Sequence, residues 1–314
     1  MYRTVIFDMD GVITTEERYW DAAAYTTAEF CGLPYEEPAK MRAKFFCNDR
    51  VIPLLKNQGV NTNYELSYLA IAFYDEDSEK QYETMAAYPL EELYKMAPAR
   101  IAKRLGIPAV EAVQEGAFWE RLKNALHEWF LGSERFTEFY GKKAVGGRAG
   151  LCDAEMPLVG LAPLKAVLET LFQKGVRLAI GTGRPKPEAY MPLRAWGVLD
   201  LFSEDHIICL SHIQAAEAKF ESVSLKKPHP YSFIKAYFGE SFPDADIING
   251  NYPKDFSDCL VVGDAGADLF AAKAQGADFA AVLTGSSGKA ARPFFEENNA
   301  TYIFDDITHI TEIF

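Results

Sequence analysis

From residue 160 onward, short apolar runs alternate with segments of helical periodicity, and that alternation restricts the fold more than any other feature of the chain. Helices are expected at 162–174, 187–196, 231–238, 267–275 and about 290–298. Strands are expected at 176–180, 207–210, 259–262, 280–283 and 302–304. Strands this short and this apolar, separated by helices, pair in parallel and are covered on both faces. Residues 3–7 form one more strand of the same kind and belong to the same sheet.

The segment that follows this first strand has a different character. Residues 16–30 are helical in pattern, and 36–130 are rich in Ala, Leu, Glu, Lys and Tyr, with apolar positions recurring at three and four. Gly106 and Pro108 mark the end of a helix over 100–105. Glycines crowd 132–160, which reads as a returning linker. The expected fold is α/β. A Rossmann-like parallel-sheet core (1–15 and 160–314) carries helices on both faces, and an all-helical cap domain (16–159) is inserted after the first strand. The chain crosses between core and cap near 13–18 and 141–160, and the second, Gly-rich crossing fits a hinge. The long connection 239–258, with Asn249-Gly250 as a turn signal, reads as an extra loop or hairpin.

The formal net charge of −13 opposes binding to nucleic acid or to anionic lipid. Any site for an anionic substrate therefore needs local positive charge. Cys31, Cys47, Cys152, Cys209 and Cys259 are scattered and never spaced as Cys-x-x-Cys, which suits reduced thiols and a cytoplasmic location. Val5-Ile6-Phe7 is interrupted at once by Asp8 and Asp10, so no secretory signal is expected, and no apolar run approaches a membrane span. No feature of the sequence specifies an oligomeric state.

Four segments at the C-terminal ends of expected strands carry polar groups, and this edge is where open α/β sheets bind ligands. Asp8-Met9-Asp10-Gly11-Val12 sets two carboxylates one residue apart. Such a pair suits a hard cation or nucleophile-and-acid chemistry, and equally a solvated turn. Gly181-Thr182-Gly183-Arg184 offers a hydroxyl and open backbone to an anion, although alone it reads as a capped turn. Lys226-Lys227-Pro228-His229-Pro230 holds a lysine before a stiff turn; alone it is an exposed basic loop. Gly263-Asp264-Ala265-Gly266-Ala267-Asp268 places one acid at a strand end and another in the first helical turn, where the helix dipole also favours it.

Order, spacing and strand context together resemble the haloacid dehalogenase superfamily of hydrolases, over residues 1–15 and 160–314. Its four motifs correspond to Asp8–Val12, Thr182, Lys227–Pro230 and Gly263–Asp268. The resemblance implies that Asp8 attacks phosphorus and that Asp10 protonates the leaving oxygen and then activates water. It implies that Thr182, Gly183 and Lys227 hold the phosphoryl group. Mg²⁺ falls to Asp8, the Asp10 backbone carbonyl and Asp264, with Asp268 either a direct ligand or a support behind one. The second aspartate, Asp10, separates a phosphatase or phosphomutase from a carbon–halogen hydrolase, because only an alkoxide must be protonated as it leaves. The expectation is a phosphatase acting on a small phosphorylated metabolite. A sugar phosphomutase, or a non-catalytic module that keeps the fold, stands behind it.

Arg184 adjoins Thr182 and is expected as a substrate contact. Arg50, Lys56 and Arg148 in the helical insert are weaker candidates, since each also suits a solvated surface. His229 follows Lys227 closely, yet a turn role fits it better. The stretch from Gly285 to Ala290 has the look of a nucleotide phosphate loop, but it lacks the spacing and the hydroxyl after Lys289, and it reads as a plain loop.

Overall fold

The structure, a computed structural model, describes residues 2–60, 62–220 and 224–314. Its contacts divide the chain into two compact units, Met1–Thr15 with Glu155–Phe314, and Glu16–Ala154.

The first unit is built on a sheet of six strands: β1 (Thr4–Phe7), β2 (Arg177–Gly181), β3 (Phe202–Ile208), β4 (Cys259–Gly263), β5 (Asp278–Val282) and β6 (Tyr302–Phe304). All pair in parallel, in the order β3-β2-β1-β4-β5-β6. Alternate residues of the strands face opposite sides. Val5, Phe7, Leu178, Ile180, Leu260 and Val262 pack with the helices Leu161–Gln173 and Lys186–Ala195. Ile6, Ala179 and Val261 pack on the other side with Leu210–Glu217, Tyr231–Phe238 and Gly266–Gln275. Both faces are therefore buried, as the uninterrupted apolar runs require.

Register sets the positions of the functional groups. Phe7 pairs with Ile180 on one side and with Val262 on the other, so β2, β1 and β4 end side by side. The Asp8 N–H donates to the Val262 carbonyl at 2.9 Å, and the Thr182 N–H to the Ile208 carbonyl at 2.9 Å. The chain reverses its direction of travel across the sheet at β1, and the crevice beyond such a reversal is where these sheets hold ligands.

Three readings of the sequence are corrected. Part of the stretch read as a linker is a helix, Ser133–Tyr140, stopped by Gly141 at φ +62°. Residues 155–160 also pack with the sheet unit, where the Leu158 N–H donates to the Ile13 carbonyl at 2.9 Å. The connection 239–258 contains no hairpin among the described residues. It holds the short helix Asp244–Ile248, which Asn249 and Gly250 terminate (φ +72° at Gly250). The strand expected at 207–210 runs instead over Phe202–Ile208, and Leu210 opens a helix that the sequence did not signal.

The second unit is helical. Glu17–Cys31 packs against Pro38–Phe46, Asn63–Phe73 and Gly116–Leu131, and Tyr19 stacks on Phe130 with ring centroids 4.0 Å apart. Thr62 and Glu65 form a reciprocal capping box at the start of Asn63–Phe73. The helix predicted to stop at Gly106 does so, with that glycine left-handed at φ +66°.

Candidate active site

Asp8 leaves β1, and Lys227 reaches it from the loop before Tyr231–Phe238. The Lys227 ammonium lies 2.8 Å from Asp8 Oδ1 and 2.8 Å from Asp268 Oδ1. It also sits 4.6 Å above the Phe233 ring, which limits its contact with water. The Asp268 side chain is 2% exposed, and its second oxygen accepts the Ala265 N–H at 3.3 Å. Burial pushes the Asp8 carboxyl up to about 7; Lys227 pulls against it, and the Asp268 and Asp10 charges add to the rise. Burial disfavours the Lys227 ammonium, but Asp268 and Asp8 outweigh that and hold the amine above its ordinary range.

Asp8, Asp264 and Asp268 each bring one carboxylate oxygen within 4.8 Å of the others. An oxygen-only set of three acids suits a hard divalent cation and offers nothing to a soft one. Asp264 is seated by two glycines: a Cβ on Gly285 would lie 1.8 Å from its Oδ2, and one on Gly11 would lie 2.4 Å from the same atom. The Thr284 hydroxyl donates to the Gly11 carbonyl at 2.6 Å and holds the two loops together. The stretch after β5, read from the sequence as a plain loop, is a turn that leads into a short 3-10 helix, Gly288–Ala291, and it abuts the three-acid cluster. Nothing local marks that approach, because it joins residues more than 270 apart, Gly11 and Gly285.

Thr182 is buried at the end of β2. Its hydroxyl oxygen accepts the Arg184 N–H at 3.1 Å, which leaves its own proton to be donated. Gly183 is exposed beside it, with open space where a side chain would be. The Asp10 side chain stands apart from the three-acid cluster and is held by Arg184, whose Nε lies 3.0 Å from Oδ1 and 3.1 Å from Oδ2.

Arg184 corrects an expectation. It is 2% exposed and turned inward, bonded to Asp10, to Thr14 Oγ1 at 2.9 Å and to both oxygens of Glu155. A guanidinium spent on two carboxylates does not reach for substrate. Glu155 and Thr14 went unnoticed in the sequence, since nothing near either residue marks it as a partner for an arginine so distant. His229 takes the turn role, its Nδ1 accepting the Tyr231 N–H at 3.1 Å. In the helical unit Arg50 pairs with Glu79, Lys56 with Glu16, and Arg148 with Glu29 and Glu128.

A family model described as haloacid dehalogenase-like hydrolase matches residues 2–276. The chain belongs to the haloacid dehalogenase-like hydrolases. This hydrolase is 31% identical over 180 residues to the phosphoglycolate phosphatase of Pasteurella multocida, a match covering 57% of the chain and 63% of that relative, just under two thirds of its length. A structural-genomics X-ray structure superposes with a TM-score of 0.85 at 23% identity, over 99% of this chain and 98% of the other. A predicted phosphoglycolate phosphatase from Haemophilus somnus gives a TM-score of 0.51 at 19% identity, over 99% and 97% of the two chains. These two likenesses show the fold alone.

Proposed function

We propose that the chain is a Mg²⁺-dependent phosphatase that hydrolyses a small phosphorylated metabolite through an aspartyl phosphate on Asp8. The observation that carries the reading is the Lys227 ammonium, 2.8 Å from both Asp8 and Asp268 and beside the three-acid cluster. A chain of net charge −13 thus sets a cation where an anionic nucleophile must meet an anionic phosphate.

Asp8, Asp264 and the Asp10 backbone carbonyl would hold Mg²⁺. Asp268 stands behind them, because Lys227 and the Ala265 N–H already engage its oxygens. Bound there, the ion screens the charge of the phosphate. A carboxylate oxygen of Asp8 attacks phosphorus, the bond to the ester oxygen breaks, and Asp10 gives a proton to the departing oxygen. Asp10 then takes a proton from water as that water attacks the aspartyl phosphate. The bond from phosphorus to Asp8 breaks, restoring the carboxylate and releasing phosphate. Thr182, the Gly183 backbone and Lys227 hold the phosphoryl oxygens meanwhile. The helical unit, Glu16–Ala154, would serve as the cap that selects the leaving group. The five free cysteines fit a reducing compartment such as the cytoplasm, and no described helix is long and apolar enough to cross a membrane.

The test is phosphate release from a panel of phosphorylated metabolites headed by phosphoglycolate, with and without Mg²⁺. Transfer between positions of a bisphosphorylated sugar, outrunning hydrolysis, marks a phosphomutase instead. Absence of turnover across the panel with Mg²⁺ bound leaves a binding module.

Two further results are expected. Below a pH of about 7 the metal-free Asp8 carboxyl holds a proton that the ion must displace. Apparent Mg²⁺ affinity should therefore climb with pH and level off above about 7, with proton release on binding confined to the acidic side. Calorimetry in two buffers of different ionisation enthalpy measures this, and an affinity independent of pH would count against the assignment of Asp8 as a ligand. Gly285→Ala forces Asp264 to move, because the new methyl falls 1.8 Å from its Oδ2. Mg²⁺ affinity should drop about 10–100-fold, as when a ligand's supporting groups are altered. An unchanged affinity in the same titration would show that Asp264 does not hold the ion.

A further inference from the structure

Asp10 follows a strand and precedes Gly11, whose φ of +75° puts it in a tight loop, so the local chain does little to fix the Asp10 carboxyl. External contacts fix it instead. Arg184 Nη2 lies 2.5 Å from Oδ1, Nε lies 3.0 Å from the same oxygen, and the Thr14 hydroxyl donates to it at 3.1 Å. Among the described residues, Oδ2 takes one bond, from Arg184 Nε at 3.1 Å. The two oxygens are therefore inequivalent: Oδ1 is clamped and Oδ2 is the freer.

Arg184 is itself pinned. Its Nη1 donates to Glu155 Oε2 at 3.1 Å and to the Glu188 carbonyl at 3.3 Å, and its Nη2 lies 2.5 Å from Glu155 Oε1. The Arg184 and Glu155 side chains are each 1% exposed, so the guanidinium has a buried counter-charge besides Asp10. Thr14 and Glu155 also sit on the two adjoining chain segments that flank the helical insert, which are joined by the Thr14–Pro157 bridge. One arginine thus spans both segments and ends on Asp10.

We propose that Arg184, anchored by Glu155, is a positioning residue that clamps Asp10 Oδ1 and so presents Oδ2 to the leaving oxygen. The inference rests on the phosphatase reading, in which Asp10 protonates that oxygen. It deepens that reading by naming the oxygen that carries the proton and the pair that aims it.

The discriminating observable is dependence on the leaving group. p-Nitrophenolate departs without a proton, whereas the alkoxide of phosphoglycolate or glycerol phosphate needs one. Arg184→Lys, Glu155→Gln and the double variant Arg184→Met/Glu155→Met are compared with wild type on p-nitrophenyl phosphate and on both alkyl esters, at saturating Mg²⁺. The double variant removes both members of the buried Arg184–Glu155 pair together, and circular dichroism establishes that each variant is folded. In single-turnover release of the leaving group, which precedes the water attack that Asp10 assists for every ester, the alkyl esters are expected to slow about 100-fold in the double variant, the lower end of a general acid's contribution, with p-nitrophenolate release slowed less than about fivefold. Arg184→Lys, which keeps a cation but not the fork, should fall between. Equal losses on both classes of ester in a folded double variant, or no loss on either, overturn the proposal. A wild type inactive on every ester overturns the phosphatase reading itself, and the inference falls with it.

Discussion

Asp8→Asn is expected to lower turnover by about 10⁴–10⁶-fold, the scale seen when a covalent nucleophile is removed from an otherwise intact site. An amide oxygen can still accept from Lys227, so the geometry at 2.8 Å survives the change. What disappears is the lone pair of an anion aimed at phosphorus. Circular dichroism separates the loss from unfolding, and burial, which raises the Asp8 carboxyl to about 7, favours a neutral residue there. Steady-state kinetics on the best ester of the panel measures the effect. Quenching with hydroxylamine supplies an independent readout, since an aspartyl phosphate is captured as the hydroxamate in wild type and not in the variant. Activity within tenfold of wild type would remove Asp8 from the mechanism.

Lys227→Met is the variant with the largest expected effect on stability. It strands two carboxylates, Asp8 and Asp268, whose side chains are 13% and 2% exposed. Removing one partner of a buried ion pair costs about 3–5 kcal/mol. The sign with pH follows from the shifts. The lysine's folded pKa is raised, so in wild type its contribution persists through neutral pH and is lost only in strong alkali. Asp8 is also raised, from 3.8 to about 7, so its cost to the fold is absent below about 4 and grows as pH rises towards 7. Below about 7 Asp8 is protonated in both proteins and carries that cost in both; without Lys227 its carboxyl rises further, so the variant should lie closest to wild type in acid and fall away from it as pH rises past 7. Added Mg²⁺ should recover part of the difference by supplying the missing positive charge. Urea unfolding across that range, with and without the ion, tests this. A variant as stable as wild type at neutral pH without metal would show that the two acids are balanced by something other than Lys227.

The sequence was most legible where local pattern and tertiary fate coincide. The helix Tyr231–Phe238 and the strand Tyr302–Phe304 have the ends expected of them. The central strands, buried on both faces, announce themselves as unbroken apolar runs. The edge strand Phe202–Ile208 does not, because Ser203, Glu204 and Asp205 face solvent and interrupt the signal. The helix Ser133–Tyr140 was obscured by the glycines around it, and Asn249-Gly250 served as a helix stop where the turn of a loop or hairpin was expected. At the site, Asp8, Lys227, Asp264 and Asp268 were each visible in a short motif, and the structure brings them together. Arg184 was visible too, but its direction was not. The partners that turn it inward, Thr14 and Glu155, lie 170 and 29 residues away, and no local spacing records that meeting.

The flush ends of β2, β1 and β4 bear on how the molecule fails under stress. Proteins open first where pairing is one-sided, and here that means the outer strands β3 and β6. The Asp8 attachment lies at the opposite extreme, on a strand paired along both sides. Fraying at either border leaves the strand that carries Asp8 intact. The strand that carries Asp8 is therefore expected to outlast the borders of the sheet, with amide exchange in β1 slower than in β3 or β6.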